Sequence, residues 1–317
     1  MDVISIGETM ALFTPNEDGP LRYARNYQVR IAGAETNTLI GLSKLGKKAG
    51  WITRLGKDEF GAMILSSVRG EGVDVSQVKL DDAAPTGLFF KERKSAAKVN
   101  VFYYRTLSAA SFLKKCDIDE QYIEKAGLLY ITGITPALSE SASDAVFYAV
   151  ELAKKHNKCV VFDPNFRKKL WDGERARQTM FELIKRSDIV LPGLSEGRFL
   201  FGTADEKKIA EAIRGLGAET AIIKLGSKGA YYAGGNESGY AEGYQIQAAA
   251  DPVGAGDGFA AGVLSGLIDH IPLSEAVKRG CAVGAMVAAV NGDIEGLPDS
   301  ESLFAFMEQS DEEDVSR

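Results

Sequence analysis

The stretch "DPVGAGDGFAAG", Asp251 to Gly262, sets three small residues, Gly254, Ala255 and Gly256, directly before an acid, Asp257, where the apolar periodicity of a helix begins. The first N–H groups of a helix lack intrahelical partners and lie at the positive end of its dipole, so bare residues there let a phosphate reach the main chain. Such a start is an anion hole. Asp257 would repel a phosphate, but a carboxylate beside the hole can take the proton of a hydroxyl attacking phosphorus. On this stretch alone, an acid that complements the helix dipole after a tight glycine bend accounts for the pattern equally well.

Outward from that helix the chain alternates strand-like and helix-like segments: "VISIG", "TNTLIGLSKLG", "AGWITRLG", "EFGAMILSSVRGEG", then "GLLYITG", "SASDAVFYAVELAKKHN", "CVVFDPN", "RQTMFELIKRS", "DIVLPG", "EKKIAEAIRGLG" and "TAIIKLG". This alternation predicts an α/β, doubly wound, mostly parallel sheet with crossover helices on both faces. Its near-continuous apolar strands fit a sheet buried on both sides. Ligands bind such sheets beyond the carboxyl ends of the strands. Residues 10–31 and 85–106 break the rhythm and are rich in aromatic and β-branched residues. They are expected to form a small β-sheet inserted in two pieces, a lid over the crevice or a pair of exposed hairpins. The core is then 1–9, 32–84 and 107–317.

The 317 residues suffice for one large core, and the formal charge of −7, without a basic face, argues against nucleic acid or anionic lipid as partners. "MDVISIGETM" runs straight into a strand without the basic start and long apolar core of a secretory signal, and "CAVGAMVAAV" (281–290) is too short to span a membrane. A cytoplasmic protein acting on small molecules is expected. Cys116, Cys159 and Cys281 are far apart and read as core thiols, and His156 and His270, near helix ends, as structural histidines. No G-x-G-x-x-G follows "VISIG", which argues against a dinucleotide oxidoreductase.

A second segment, "IAGAETNTLIGLSKLGKKAGWITRLGKDEFG" (31–61), places Gly33 where backbone can approach a ligand and Asn37 at a helix start, able to bond a polyol or simply to cap. Together, in this order and separation, the two segments resemble the signature regions of the ribokinase-like (PfkB) carbohydrate kinases, over essentially the whole chain. The resemblance implies ATP and Mg²⁺ as cofactors, Asp257 as catalytic base and the backbone of Gly254, Ala255 and Gly256 as the anion hole. By the same resemblance "KLGSKG" supplies Lys224, Gly226, Ser227 and Gly229, with Gly254 and Gly256, to the nucleotide. In the family's Asn-x-x-Glu segment this chain reads "LPGLSEG": Glu196 matches and would organise Mg²⁺ indirectly, while Gly193 replaces the Asn. Asp251 and Val253 fall where related enzymes hold a monovalent cation.

In "VNVFYYR" the period of two puts Val101, Tyr103 and Arg105 on one face and Phe102 and Tyr104 on the other. Arg105, and Arg167 in "FDPNFRKKLW" just past a strand end, offer bidentate partners that a neutral sugar does not need and a sugar acid does. "FYYR…SAAS", "ITGITPALS", "FDPNFRKKLW" and "GAETN" resemble the 2-keto-3-deoxygluconate kinases of the family, implying that Gly33, Asn37, Tyr103, Arg105, Arg167 and Asp257 meet a sugar acid phosphorylated at its 6-hydroxyl. Phe89 stands where relatives carry a tyrosine. A fructokinase or a kinase of another deoxy-keto sugar acid is the alternative. Lys91, Lys94 and Lys98 read as solvated lid charges, and the apolar "LFF" and "VFYY" predict a homodimer through the lid or a higher homo-oligomer.

Overall fold

The structure, a computed structural model, describes residues 1–95, 98–246 and 253–315. Among them thirteen strands form two sheets: β1 (Val3–Ile6), β2 (Met10–Pro15), β3 (Tyr27–Ala32), β4 (Ala49–Gly56), β5 (Asp74–Asp81), β6 (Leu88–Ser95), β7 (Lys98–Tyr104), β8 (Leu128–Thr132), β9 (Cys159–Asp163), β10 (Ile189–Val190), β11 (Thr220–Lys224), β12 (Gly229–Gly234) and β13 (Glu237–Glu242). Nine run in the order β13-β12-β11-β10-β9-β8-β1-β4-β5, and the other four in the order β3-β2-β6-β7. In the large sheet every pair from β11 through β5 is parallel. β12 and β13 extend it antiparallel, because tight turns return the chain without a crossover helix.

Alternation along the central strands divides the core in two. Val3 and Trp51 face a cluster with Leu39, Phe259 and Val283, while Ile4, Ile6 and Ile52 face one with Val146, Phe162 and Met180. Helices 34–44, 59–70, 255–268 and 273–288 therefore cover one face, and helices 140–155, 173–184, 194–201 and 206–215 the other. Helix 255–268 lies against helix 273–288 through glycines four residues apart. A Cβ on Gly262 would stand 2.7 Å from the Cα of Gly280, so only a bare position admits this approach, which fixes where the helix start points.

The small sheet consists of hairpins β2/β3 and β6/β7 joined by the parallel pair β2/β6. Register places Leu12, Arg30, Phe89 and Tyr103 side by side on one face, and Phe13, Val29, Phe90 and Phe102 on the other. Ion pairs Arg30–Glu295 (2.8 Å) and Lys91–Asp293 (3.0 Å) tie it to the loop after helix 273–288.

Two expectations need correction. Cys116 is exposed, in a short turn between β7 and β8, so only Cys281 is a fully buried thiol and Cys159 is partly covered. Lys91 is not solvated: period two turns it to the inner face, where it is 7% exposed and paired with Asp293. The side chains of Lys94 and Lys98, and all of Asp251, lie outside the described residues. His156 caps the helix ending at Lys155 and meets Glu120 at 2.9 Å, and His270 follows the helix ending at Ile268. No helix among the described residues is long and apolar enough to cross a membrane.

Candidate active site

Helix 255–268 begins at Gly254, whose φ of 82° is left-handed and whose Cα lies so close to the next segment that a Cβ would stand 2.8 Å from the Asp293 carbonyl oxygen. That bend aims the free N–H groups of the first turn along the carboxyl edge of the large sheet. Asp257, 7% exposed, sits in this turn. The Asn37 amide donates to its Oδ2 at 2.8 Å, and the Asn165 amide lies 3.4 Å from Oδ1. Burial raises the Asp257 carboxyl to about 7, against the hydrogen bond from Asn37 and the charge of Arg167, and nearby Asp163 and Asp293 push the same way. A carboxylate so placed is half ionised near neutrality, the condition that suits a general base.

A cavity of about 400 Å³ opens over Asp257, and Gly33, Asn37, Tyr103, Arg105 and Arg167 all line it. The structure thus brings together residues spread over more than 220 positions of sequence. Gly33 caps helix 34–44, and a Cβ there would strike the Glu8 carbonyl at 2.5 Å, so its bareness serves packing as well as access. Asn37 spends its amide donor on Asp257, so its first task is holding that carboxylate. Phe89 is buried with its ring centroid 5.6 Å from that of Tyr103, filling the inner face of the small sheet. Glu8, Glu35 and Asn165 line the same cavity and were not singled out, although Glu35 lies in "GAETN" and Asn165 in "FDPNFRKKLW". Asn165 was within reach of the strand-end rule, since it follows β9 directly; Glu8 and Glu35 are single carboxylates whose partners lie about a hundred positions away.

A second cavity, about 390 Å³, lies on the other side of the helix start and is lined by Lys224, Gly226, Ser227, Gly229, Ala255 and Gly256. Tyr244, Ile246, Phe259 and the small residues Gly284, Ala285 and Ala288 also line it, giving it a largely apolar wall. Gly254 faces the first cavity rather than this one. Lys224 and Gly256 line both, so the cavities meet at the anion hole. Lys224 Nζ bonds Asp163 at 2.7 Å; burial pulls its pKa down, but the charges of Asp163 and Glu196 outweigh that and hold the ammonium above its ordinary value.

Glu196 accepts N–H bonds from Phe166 and Gly193, both at 2.7 Å, and burial raises its carboxyl despite Lys224. Gly193 thus contributes its backbone where an Asn side chain was expected. Among the described residues no group of three or more His, Cys, Asp or Glu could cage a metal. Glu196, lining the cavity together with Lys224, fits Mg²⁺ carried largely by phosphates and water rather than a resident metal.

The model of the "pfkB family carbohydrate kinase" matches residues 1–300. The chain is 39% identical over 309 residues to the 2-dehydro-3-deoxygluconokinase of Bacillus subtilis, covering 97% of this chain and 95% of that protein. It is 34% identical over 302 residues to the enzyme of the same name from Thermoproteus tenax, covering 94% and 91%. Its fold matches the crystal structure of a PfkB protein from Polaromonas sp. JS666 with a TM-score of 0.89 and 42% identity, over 96% of this chain and 99% of the other. With its two cavities meeting at a helix start that carries an acid, the chain belongs to the pfkB family of carbohydrate kinases.

Proposed function

We propose that the chain transfers the γ-phosphoryl group of ATP to the 6-hydroxyl of 2-keto-3-deoxygluconate. The observation that carries this reading is the meeting of the cavities at Gly256 and Lys224, with Asp257 on the side of Tyr103, Arg105 and Arg167. The nucleotide base fits the largely apolar cavity and its phosphates point at the helix start; the sugar acid fits the polar cavity, with its carboxylate toward the arginines. In the transfer, Asp257 takes the hydroxyl proton, the hydroxyl oxygen bonds to phosphorus, and the bond to the ADP oxygen breaks. The backbone N–H groups of Ala255 and Gly256, with Lys224, stabilise the charge spread over the phosphoryl oxygens. Glu196 would hold Mg²⁺ through water, and the ion supplies charge neutralisation on the phosphates. The small sheet, whose inner face walls the sugar cavity, acts as a lid that keeps water from the γ-phosphate.

Val253 belongs to the rim of the sugar cavity, the region assigned by resemblance to a monovalent cation. The enzyme works in the cytoplasm, where ATP is supplied, as a homodimer through the outer face of the small sheet. Support for the dimer is the row Phe13, Val29, Phe90 and Phe102 on that face, with Val29 and Phe102 each 43% exposed.

A coupled ADP-release assay with 2-keto-3-deoxygluconate, its galactonate epimer, fructose and ribose tests the reading. Strong preference for a keto-deoxy sugar acid is expected; turnover with fructose alone would overturn the substrate while leaving the kinase. That second reading has one observation in its favour, since Arg105 is already ion-paired with Glu8, which offsets part of its charge. Arg167→Ala separates the two: at least a tenfold rise in KM for a sugar acid, none for a neutral ketose.

A further inference from the structure

Arg105 does not stand alone in the sugar cavity. Its Nε donates to Glu8 Oε2 at 2.7 Å, its Nη2 contacts the same oxygen, and the Ser108 hydroxyl donates to Glu8 Oε1. The face of the guanidinium lies over the Tyr103 ring, 5.5 Å from its centroid. Glu8 and Arg105 are 3% and 7% exposed, and both line the cavity. Gly87 makes room for the carboxylate, since a Cβ there would stand 2.6 Å from Glu8 Oε1. Nη2 is buried and makes no hydrogen bond, its contact with Glu8 being an ion pair alone, and among the described residues no hydrogen bond is made by Nη1.

We infer that Glu8 is a positioning residue for sugar-acid recognition: it grips the Nε and Nη2 edge of Arg105 and leaves the Nη1 edge to the carboxylate of the substrate. The inference rests on the reading of Arg105 as a partner of that carboxylate. Without a counter-charge an empty site would hold a buried, uncompensated guanidinium, and the side chain would leave for solvent. With Glu8 in place the fork is already oriented when the ligand arrives, and binding loses less side-chain freedom. Glu35 adds a second buried carboxyl within the field of Arg105: burial raises its pKa, the Thr132 and Thr135 hydroxyls donating to Oε1 and the charge of Arg105 oppose that. Arg105 thus serves Glu8 by contact and Glu35 through space. Glu8 holds the guanidinium itself, so the prediction falls on Glu8.

The experiment is steady-state kinetics of the full chain with 2-keto-3-deoxygluconate. Glu8→Ala should raise its KM at least tenfold while kcat and the KM for ATP stay within about threefold. Glu8→Gln, which keeps an acceptor at the Nε edge but removes the counter-charge, should give a KM between those of Glu8→Ala and the native chain. Glu8→Asp, which keeps the charge but withdraws it by one methylene, should behave like Glu8→Ala and serves if the alanine variant does not fold. In an Arg105→Ala background, Glu8→Ala should raise KM no further, because the residue it orients is gone. An unchanged KM in Glu8→Ala and Glu8→Asp overturns the inference, as does a Glu8→Gln variant that binds the acid tenfold tighter, which would make Glu8 a competitor of the ligand carboxylate. Arg105→Ala alone decides the underlying reading. If it leaves KM unchanged, Arg105 is not the carboxylate partner; if it raises KM while the Glu8 variants do not, only the positioning role falls.

Discussion

A carboxylate that removes a proton from an alcohol works best when its pKa is near ambient pH, and burial brings Asp257 there, at about 7. The rate constant kcat/KM should therefore climb with pH up to about 7 and level off above it, as the base form fills. Asp257→Asn should lower kcat by roughly 10²–10⁴ while leaving both ligands bound, measured by turnover and calorimetry; near-native turnover would remove Asp257 from its role. The same burial costs stability. Because its folded pKa lies above the unfolded value near 4, the native state holds the proton more tightly, and stability falls as pH rises from about 4 to about 7. Asp257→Asn should thus melt higher than the native protein at pH 8, by a few kcal/mol at most, with the gain shrinking toward pH 4. An equal gain at both pH values would mean the carboxyl is not desolvated. Asp257 was legible because glycines announce it. Glu8 was not, since its meaning is a contact with a side chain 97 residues away.

At the scale of elements, the proposed transfer takes place at the helix start, and two of its glycines have different reasons to be bare. Gly254 has a left-handed φ of 82° and presses on the Asp293 backbone, so Gly254→Ala should cost about 1–3 kcal/mol in thermal unfolding and displace the first turn. Gly256 has helical backbone, and a Cβ there would meet nothing nearer than Lys224 Nζ at 4.0 Å. Gly256→Ala should hold or raise Tm, since alanine is the better helix former, yet raise the KM for ATP about tenfold by crowding the bare main chain. Equal stability losses in the two variants would show that both glycines serve the bend. The alternation of strands and helices was legible because each crossover carries its own period. The end of the sheet was less so: β11 to β13 are joined by tight turns, and a strand's period does not reveal whether its neighbour is parallel. Nor does period two say which face is inner, which is why Lys91 read as solvated when its position opposite Val101 turns it to the cavity.

At the scale of the whole molecule, the outer face of the small sheet remains. Phe13, Val29, Phe90 and Phe102 follow one another directly across its four strands, Phe13 and Phe90 stack with centroids 4.9 Å apart, and Tyr104 beside them is 66% exposed. Phe60 of helix 59–70 meets Phe13 edge-on within this row, while Val29 and Phe102 at its two ends stay exposed. An apolar row across a sheet that ends in an uncovered edge strand favours a second apolar surface over water. A twofold axis through the row would set the same residues against themselves and close the assembly at two copies. The native protein should therefore elute with twice the 34.1 kDa mass of one chain in size exclusion with light scattering, across micromolar concentrations. Phe102→Glu, which sets two carboxylates against each other across such an axis, should give the single-chain mass. Because Phe102 points away from the cavity, that variant also asks whether the lid needs its partner: a monomer with native kcat makes the dimer a matter of solubility, whereas a monomer with a raised sugar-acid KM makes it a support for the lid. A native protein of single-chain mass at these concentrations would overturn the assembly and leave the row as the lid's own packing.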